Sequence, residues 1–247
     1  MLVKSQVKYI QSLGQKKFRD EAGVFIVEGP KIVRELLSAP ALELVEIYAV
    51  KEWLDPLPAG ATGEGRVTEV KDTELERISS LSTPNQVLAI FKKPSFPAPD
   101  LANTVTLVLD AIQDPGNLGT IVRIADWFGI RQVIASRDSA DVFSPKAIQS
   151  TMGSISRVQV CYEDPLTMIR QHPGLPVYAA ILEGKSVYTT QRIERGMIVI
   201  GNESRGIRPE LLEVAPNGIT IPRIGEAESL NAAVATGIIL SHLVGGP

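Results

Sequence analysis

The sequence predicts an α/β protein, with a C-terminal, mostly parallel sheet covered by helices on both faces and a smaller N-terminal α/β domain before it. Three observations carry that expectation. Apolar runs rich in Val, Ile and Leu alternate with helical stretches along the chain. The runs after residue 104 are continuous rather than alternating, as strands buried on both faces are. Between the halves stands KPSFPAPD (93–100), where three prolines favour extended backbone and continue neither a helix nor an inner strand. The expected domains are therefore residues 1–92 and 101–247, with 93–100 as linker.

In the first domain VFIV (24–27), LVEIYAV (44–50), GRVTEV (65–70) and QVLAIF (86–91) read as strands. Residues 30–38 and 72–80 read as helices between them, the second with Asp72 as cap and Glu74 and Glu76 complementing the positive helix end. In the second domain the strands are TVTLVLD (104–110), QVIAS (132–136), RVQV (157–160), VYAAIL (177–182), MIVI (197–200) and GITI (218–221). A long helix, SLNAAVATGIILSHLV (229–244), closes the chain. In such sheets ligands bind beyond the carboxyl ends of the strands, which is where chemistry is to be sought.

Composition narrows the function classes. With 44% hydrophobic residues the 247-residue chain has ample material for a core, which excludes a disordered protein. One cysteine, Cys161, excludes an intramolecular disulfide and a Cys-cluster metal site. His172 and His242 share no metal-ligand spacing, so no metal is expected. The first ten residues lack the apolar stretch of a signal peptide, and no apolar run approaches the ~18 residues of a membrane-spanning helix. A cytoplasmic protein with no membrane partner is expected. The net charge of −3 is unevenly placed: residues 1–35 hold seven basic and four acidic residues, a local +3. Such an arm suits contact with a phosphate backbone, through Lys16, Lys17 and Arg19, although the charge pattern by itself favours a solvated helix face.

Three strand ends carry unusual loops. In AIQDPGNLGTIVRIADWFG (111–129), Pro115-Gly116 makes a turn, Asn117 can cap the following helix, and Gly119 leaves room for a close approach. Arg123 is the only charge in Leu118–Ala125, a position that suits a ligand or phosphate contact as well as an ordinary solvated Arg. In GNESRGI (201–207), two glycines flank Glu203 at the end of a buried strand, or simply make a tight turn. In PRIGEAESLNAAVATG (222–237), Pro222 breaks the strand, Gly225 permits a bend and Ser229 can cap the closing helix. Motifs for dinucleotide, NTPase and α/β-hydrolase chemistry are absent.

Taken together, the three loops resemble the motifs of the SpoU (TrmH-like) branch of the SPOUT superfamily, the RNA ribose 2′-O-methyltransferases. The matches are Asn117-Leu-Gly-Thr-Ile-Val-Arg123, Gly201-Asn-Glu203-Ser-Arg-Gly206, and Ile221-Pro-Arg-Ile-Gly225 running on to Ser229-Leu-Asn231-Ala-Ala-Val. SPKAIQSTMGS (144–154) resembles a further family segment, with Gln149 where the family often has Arg. KFRDEAGVFIVEGPKIVRELL (17–37) resembles the ribosomal-protein-L30-like (L30e-like) substrate-binding domain that many members carry. The resemblance implies a C-terminal trefoil knot, S-adenosylmethionine (SAM) as methyl donor, and a homodimer with a shared active site.

The resemblance also implies site roles. Backbone groups at Gly201, Ile221 and Leu230 contact the cofactor, and Leu182 lines the same cleft. Arg123 acts on the hydroxyl; because a guanidinium gives up protons reluctantly, it suits an oxyanion stabiliser and phosphate clamp better than a general base. Asn117 fixes the loop and reaches substrate, Glu203 orients Arg123 or Asn231, and Asn231 and Ser229 complete the polar wall. The favoured substrate is 23S rRNA. The alternatives are tRNA, a small-molecule substrate, and an inactive RNA-binding homologue, the last disfavoured by the presence of Asn117, Arg123, Glu203 and Asn231.

Overall fold

The computed structural model describes residues 1–58, 60–63, 65–97 and 100–244. Ala98 and Pro99 of the expected linker lie outside the described residues. The chain forms two compact units, Met1–Phe96 with Phe143–Ser156, and Pro97–Val142 with Arg157–Pro247. The segment 143–156, which sequence alone groups with residues 101–247, clusters with the first unit.

The first unit is a four-stranded sheet in the order β1-β4-β2-β3, from β1 (Val24–Glu28), β2 (Leu44–Ala49), β3 (Arg66–Glu69) and β4 (Val87–Lys92). β4 lies antiparallel between β1 and β2, while β2 and β3 are parallel. Alternation along the strands sends Val24, Ile26, Tyr48, Leu88 and Ile90 to one face, where they pack with Val7, Ile10, Leu75 and Ile78. Those four come from α1 (Lys4–Ser12) and α5 (Asp72–Ile78). On β1 all five residues are buried, because α3 (Pro30–Leu37) and α7 (Pro145–Thr151) also pack on the strand. Phe143, just before α7, meets the Phe25 ring at 5.2 Å. α5 begins one residue earlier than a capping Asp72 requires: Asp72 is its first residue, and Glu74 accepts from the Lys71 amide at 3.2 Å.

Two helices precede β1 where only a basic arm was legible, α1 and α2 (Lys16–Ala22), and a short α4 (Lys51–Leu54) follows β2. Arg19 departs from the expected RNA-facing position. It is only 2% exposed and its Nη1 donates to the Leu13 carbonyl at 2.7 Å, so its charge holds the α1–α2 corner. Lys16 and Lys17 are exposed, with Lys17 near Glu21 at 3.9 Å.

The second unit is a wholly parallel six-stranded sheet, β10-β8-β9-β5-β6-β7. Its strands are β5 (Val105–Leu109), β6 (Gln132–Ala135), β7 (Gln159–Tyr162), β8 (Val177–Ser186), β9 (Gly196–Ile200) and β10 (Asn217–Thr220). Val108, Ile134, Ala179, Met197 and Val199 form one core face with Ile169 of α8 (Pro165–Gln171) and Leu211 of α9 (Pro209–Leu212). Leu107, Leu109, Ile198 and Ile200, alternating with them, are buried too. α6 (Pro115–Trp127) packs along α10 (Ala232–Leu243). The expected α/β class with a parallel C-terminal sheet is what the chain adopts.

β8 runs four residues beyond the expected VYAAIL. β10 pairs Gly218 with Ala179 but Ile219 with Lys185, so Ala180–Gly184 bow out of the ladder. The chains then approach so closely that a Cβ on Gly184 would lie 2.8 Å from the Gly218 carbonyl oxygen. This bulge holds Leu182 at the surface, 72% exposed, with its carbonyl accepting from Thr220 Oγ1 at 2.9 Å.

Candidate active site

The three loops singled out in the sequence follow β5, β9 and β10, which with β8 are consecutive in the sheet, so their carboxyl ends open side by side. Each loop is held by its own short-range bonds. After β5, Ala111 takes a left-handed conformation (φ 56°) and its amide donates to Ser136 Oγ at 2.8 Å. Asp114, not Asn117, caps α6: its carboxylate accepts from the Asn117 amide at 2.8 Å, with Pro115 at the first helical position. After β9, Asn202 and Gly206 exchange backbone bonds at 3.1 and 2.9 Å, and Asn202 Oδ1 accepts from the amides of Ser204 and Arg205. After β10, the chain stays irregular through Ser229 and Leu230, and α10 starts at Ala232 with Asn231 as cap, not Ser229.

Because Asp114 does the capping, the Asn117 side chain is free to reach across the loops. Its Nδ2 donates to Glu203 Oε1 at 2.5 Å, and its Oδ1 accepts from Asn231 Nδ2 at 2.9 Å. Asn231 Oδ1 in turn accepts from the amides of Ala233 and Val234 at 3.0 and 3.3 Å. The amide orientations follow from donor and acceptor chemistry: helix amides only donate and an ionised Glu203 only accepts. One relay of hydrogen bonds therefore joins three loops separated by 86 and 114 residues in sequence. Glu203, expected to orient Arg123 or Asn231, accepts from Asn117, and Asn231 is reached through Asn117.

Arg123 stands apart from this relay. It sits in the third turn of α6, exposed, and with no polar partner among the described residues. Four residues on, Trp127 is 84% exposed on the same helix.

A cavity of about 980 Å³ opens among the same loops. Leu182, Gly201, Ile221 and Leu230, the four expected cofactor contacts, all line it, as do Glu203 and Ser229. Its walls are mostly apolar side chains and loop backbone, with two carboxylates, Glu203 and Glu228, and two guanidinium groups, Arg205 and Arg223, among the lining residues. A mostly apolar pocket of this size, with a few charged groups of both signs, suits a drug-sized ligand. Gly201 matters for a reason other than ligand space: a Cβ there would sit 2.6 Å from the Gly206 carbonyl oxygen and the Ile207 amide. Among the described residues no group of His, Cys, Asp and Glu is placed to hold a metal ion.

Asp110 and Arg208 were missed by the sequence reading. Asp110, read only as the last residue of a strand, is fully buried and bonded by Arg208. Gln149 lies on α7, its amide nitrogen 3.8 Å from where a Cβ of Gly29 would be.

Residues 104–241 match the SpoU rRNA Methylase family, and residues 4–89 match the MRM3-like substrate binding domain. The chain is 31% identical to the 23S rRNA (guanosine(2553)-2′-O)-methyltransferase RlmP of Bacillus subtilis, over 97% of this chain and 96% of that protein. Among solved structures, a protein of the TrmH family from Porphyromonas gingivalis is 38% identical, with a TM-score of 0.86 over 98% of each chain. An AdoMet-bound rRNA methyltransferase from Sinorhizobium meliloti is 31% identical, with a TM-score of 0.87 over 98% of this chain and 95% of that one.

Proposed function

Because the chain belongs to the SpoU rRNA methylase family, we propose that it methylates 23S rRNA and that two copies build the active site together. The reaction is transfer of a methyl group from SAM to a ribose 2′-hydroxyl of RNA. The observation that carries the site is the Asn117–Glu203–Asn231 relay beside a mostly apolar cavity. SAM supplies a methyl group that its sulfonium makes electrophilic.

In this reading the protein positions two reactants and stabilises charge. Leu182 and the backbone at Gly201, Ile221 and Leu230 hold the cofactor. The Asn117–Glu203–Asn231 relay keeps three loops in one geometry, so that the donor and the ribose meet in line, with Ser229 on the polar wall. Positioning alone supplies much of the acceleration in such reactions. Arg123 stabilises the developing oxyanion and grips a phosphate, while the proton leaves through a phosphate oxygen or water.

Within one chain Arg123 stands outside the relay, which favours its delivery from a second copy. The exposed Trp127 and Val234, on the mutually packed α6 and α10, supply apolar surface for that contact. The trefoil knot belongs to the same reading. Its support is the return of β10 beside β8 and the bond from the Ile193 amide to the Leu243 carbonyl at 2.7 Å. Residues 1–92 are assigned RNA binding, with Lys16 and Lys17 as phosphate contacts, and 101–247 the chemistry. No helix among the described residues is long and apolar enough to cross a membrane, consistent with work in the cytoplasm on ribosomal RNA.

The choice of 23S rRNA rests on the Bacillus subtilis relative, with tRNA as the second substrate to test. Methyl transfer from labelled SAM to 23S rRNA and to bulk tRNA decides between them; labelling of tRNA alone refutes the assignment. Mixing inactive Arg123→Ala and Asn231→Ala proteins tests the shared site. Activity regained on subunit exchange supports it, and no regain refutes it.

A further inference from the structure

The carboxyl end of β5 and the loop after β9 are joined twice. The first joint is Asn202, whose Nδ2 donates to the Ala111 carbonyl at 2.9 Å. The second is Asp110, whose carboxylate is held by one residue: Oδ2 accepts from the Arg208 amide at 2.8 Å, and Oδ1 accepts from Nε at 2.6 Å and lies 2.6 Å from Nη2. Asp110 is fully buried, and its own amide bonds the Ile200 carbonyl at 2.9 Å, at the last residue of β9. Residues 201–207 are thus a loop whose start and finish are both pinned to one point on the sheet. Asp110 and Arg208 do not line the cavity, whereas Gly201, Glu203 and Gly206 do.

We infer that Asp110 and Arg208 are positioning residues for the cofactor: their buried ion pair and amide bond fix the 201–207 loop, and so set SAM affinity without touching SAM. The inference rests on reading the cavity as the SAM site. A buried carboxylate needs its partners, because leaving it unbonded costs more than the bond contributes when made. The bond to Asp110 also holds the Arg208 guanidinium above its usual pKa. Arginine is the fitting choice, since its planar fork brings Nε and Nη2 together on Oδ1 while the backbone amide bonds Oδ2.

The test is SAM binding by calorimetry, with kcat and melting temperature measured alongside. Arg208→Met should weaken SAM binding by at least about tenfold by stranding Asp110. Arg208→Lys, which keeps the charge and the amide bond but not the fork, should weaken it roughly threefold. At saturating SAM and RNA, kcat should stay within about twofold for both, because the pair meets no reacting atom. Tyr162→Phe is the control for mere destabilisation: it removes bonds to Ala140 and Val142 at the β7 edge, and should lower the melting temperature without moving the Kd. An unchanged Kd in Arg208→Met, or a Kd that follows melting temperature in all three variants, overturns the inference. Leu182→Glu, which blocks the cavity, separates the two claims. If it leaves SAM affinity intact, the site assignment falls and the inference with it; if it abolishes binding while Arg208→Met does not weaken it, only the inference falls.

Discussion

Asn117→Asp probes the relay with one atom exchanged. The Asn117 amide donates to Glu203 at 2.5 Å and accepts from Asn231 at 2.9 Å. Aspartate keeps the shape and the second bond but removes the first, a hydrogen bond to a charged group worth about 1.5–3 kcal/mol. It also sets two carboxylates against each other. Like charges ~4 Å apart at an effective dielectric of ~20 repel by about 4 kcal/mol. Both side chains are part-exposed, so solvent screens much of that, and a total loss of about 3 kcal/mol at pH 8 is a fair expectation. Protonating one member removes the repulsion, so the folded pair holds a proton with its pKa raised above the unfolded carboxylate value of ~4. The penalty is therefore present above the raised pKa and fades as pH falls through it. Urea denaturation of wild type and variant at pH 5 and pH 8, with single-turnover methyl transfer at both, reads the effect. The variant should lose stability and rate chiefly at pH 8 and regain part of both at pH 5. Equal losses at the two pH values, or a rate within about twofold of wild type at pH 8, would refute the relay as the device that holds the site together.

Arg123→Ala should lower single-turnover rate about 10²–10³-fold while leaving SAM affinity within a few-fold, and Arg123→Lys should rescue poorly because it lacks the planar fork. Calorimetry beside rapid-quench kinetics distinguishes the two effects. Charge reversal at Lys16 and Lys17 should weaken RNA binding and flatten its salt dependence without lowering the melting temperature. Arg19→Glu, at a buried corner, should instead destabilise the first unit by several kcal/mol, which thermal unfolding would show. The amides of Leu2 and Lys71 hold the Glu74 carboxyl below its usual range, so the tether to the N-terminus is present above the unfolded pKa and lost as pH falls through the lowered one. Hydrogen-exchange protection of α1, relative to the intrinsic rate at each pH, should therefore fall only at acid pH, and Glu74→Gln should abolish that dependence.

Much of the second unit was legible because its signals are local. Continuous apolar strands, turn residues at their ends and a closing helix are written in short windows, and the sheet follows from them. The caps show where such reading fails. Asp114 and Asn117 are both good caps three residues apart, and the deciding signal was Pro115, which belongs at the first helical position after Asp114. Ser229 and Asn231 posed the same ambiguity. There the chain stays irregular for two more residues, and Ser229 and Leu230 line the cavity. Arg19 misled for a different reason: a charge count cannot tell an exposed guanidinium from one turned inward to cap the Leu13 carbonyl. The relay was legible only as three residues, never as bonds, because its members come from loops brought together by strand order. Asp110 gave no local signal at all, being one polar residue at the end of an apolar strand whose partner lies 98 positions away.

The most direct test of the central claim is a nucleotide-resolution map of ribose 2′-O-methylation in total RNA from a strain lacking this protein. The expected map loses a 2′-O-methyl group in 23S rRNA, which the intact gene restores and an Arg123→Ala copy does not. An unchanged 23S rRNA map, or a loss confined to tRNA, would contradict it.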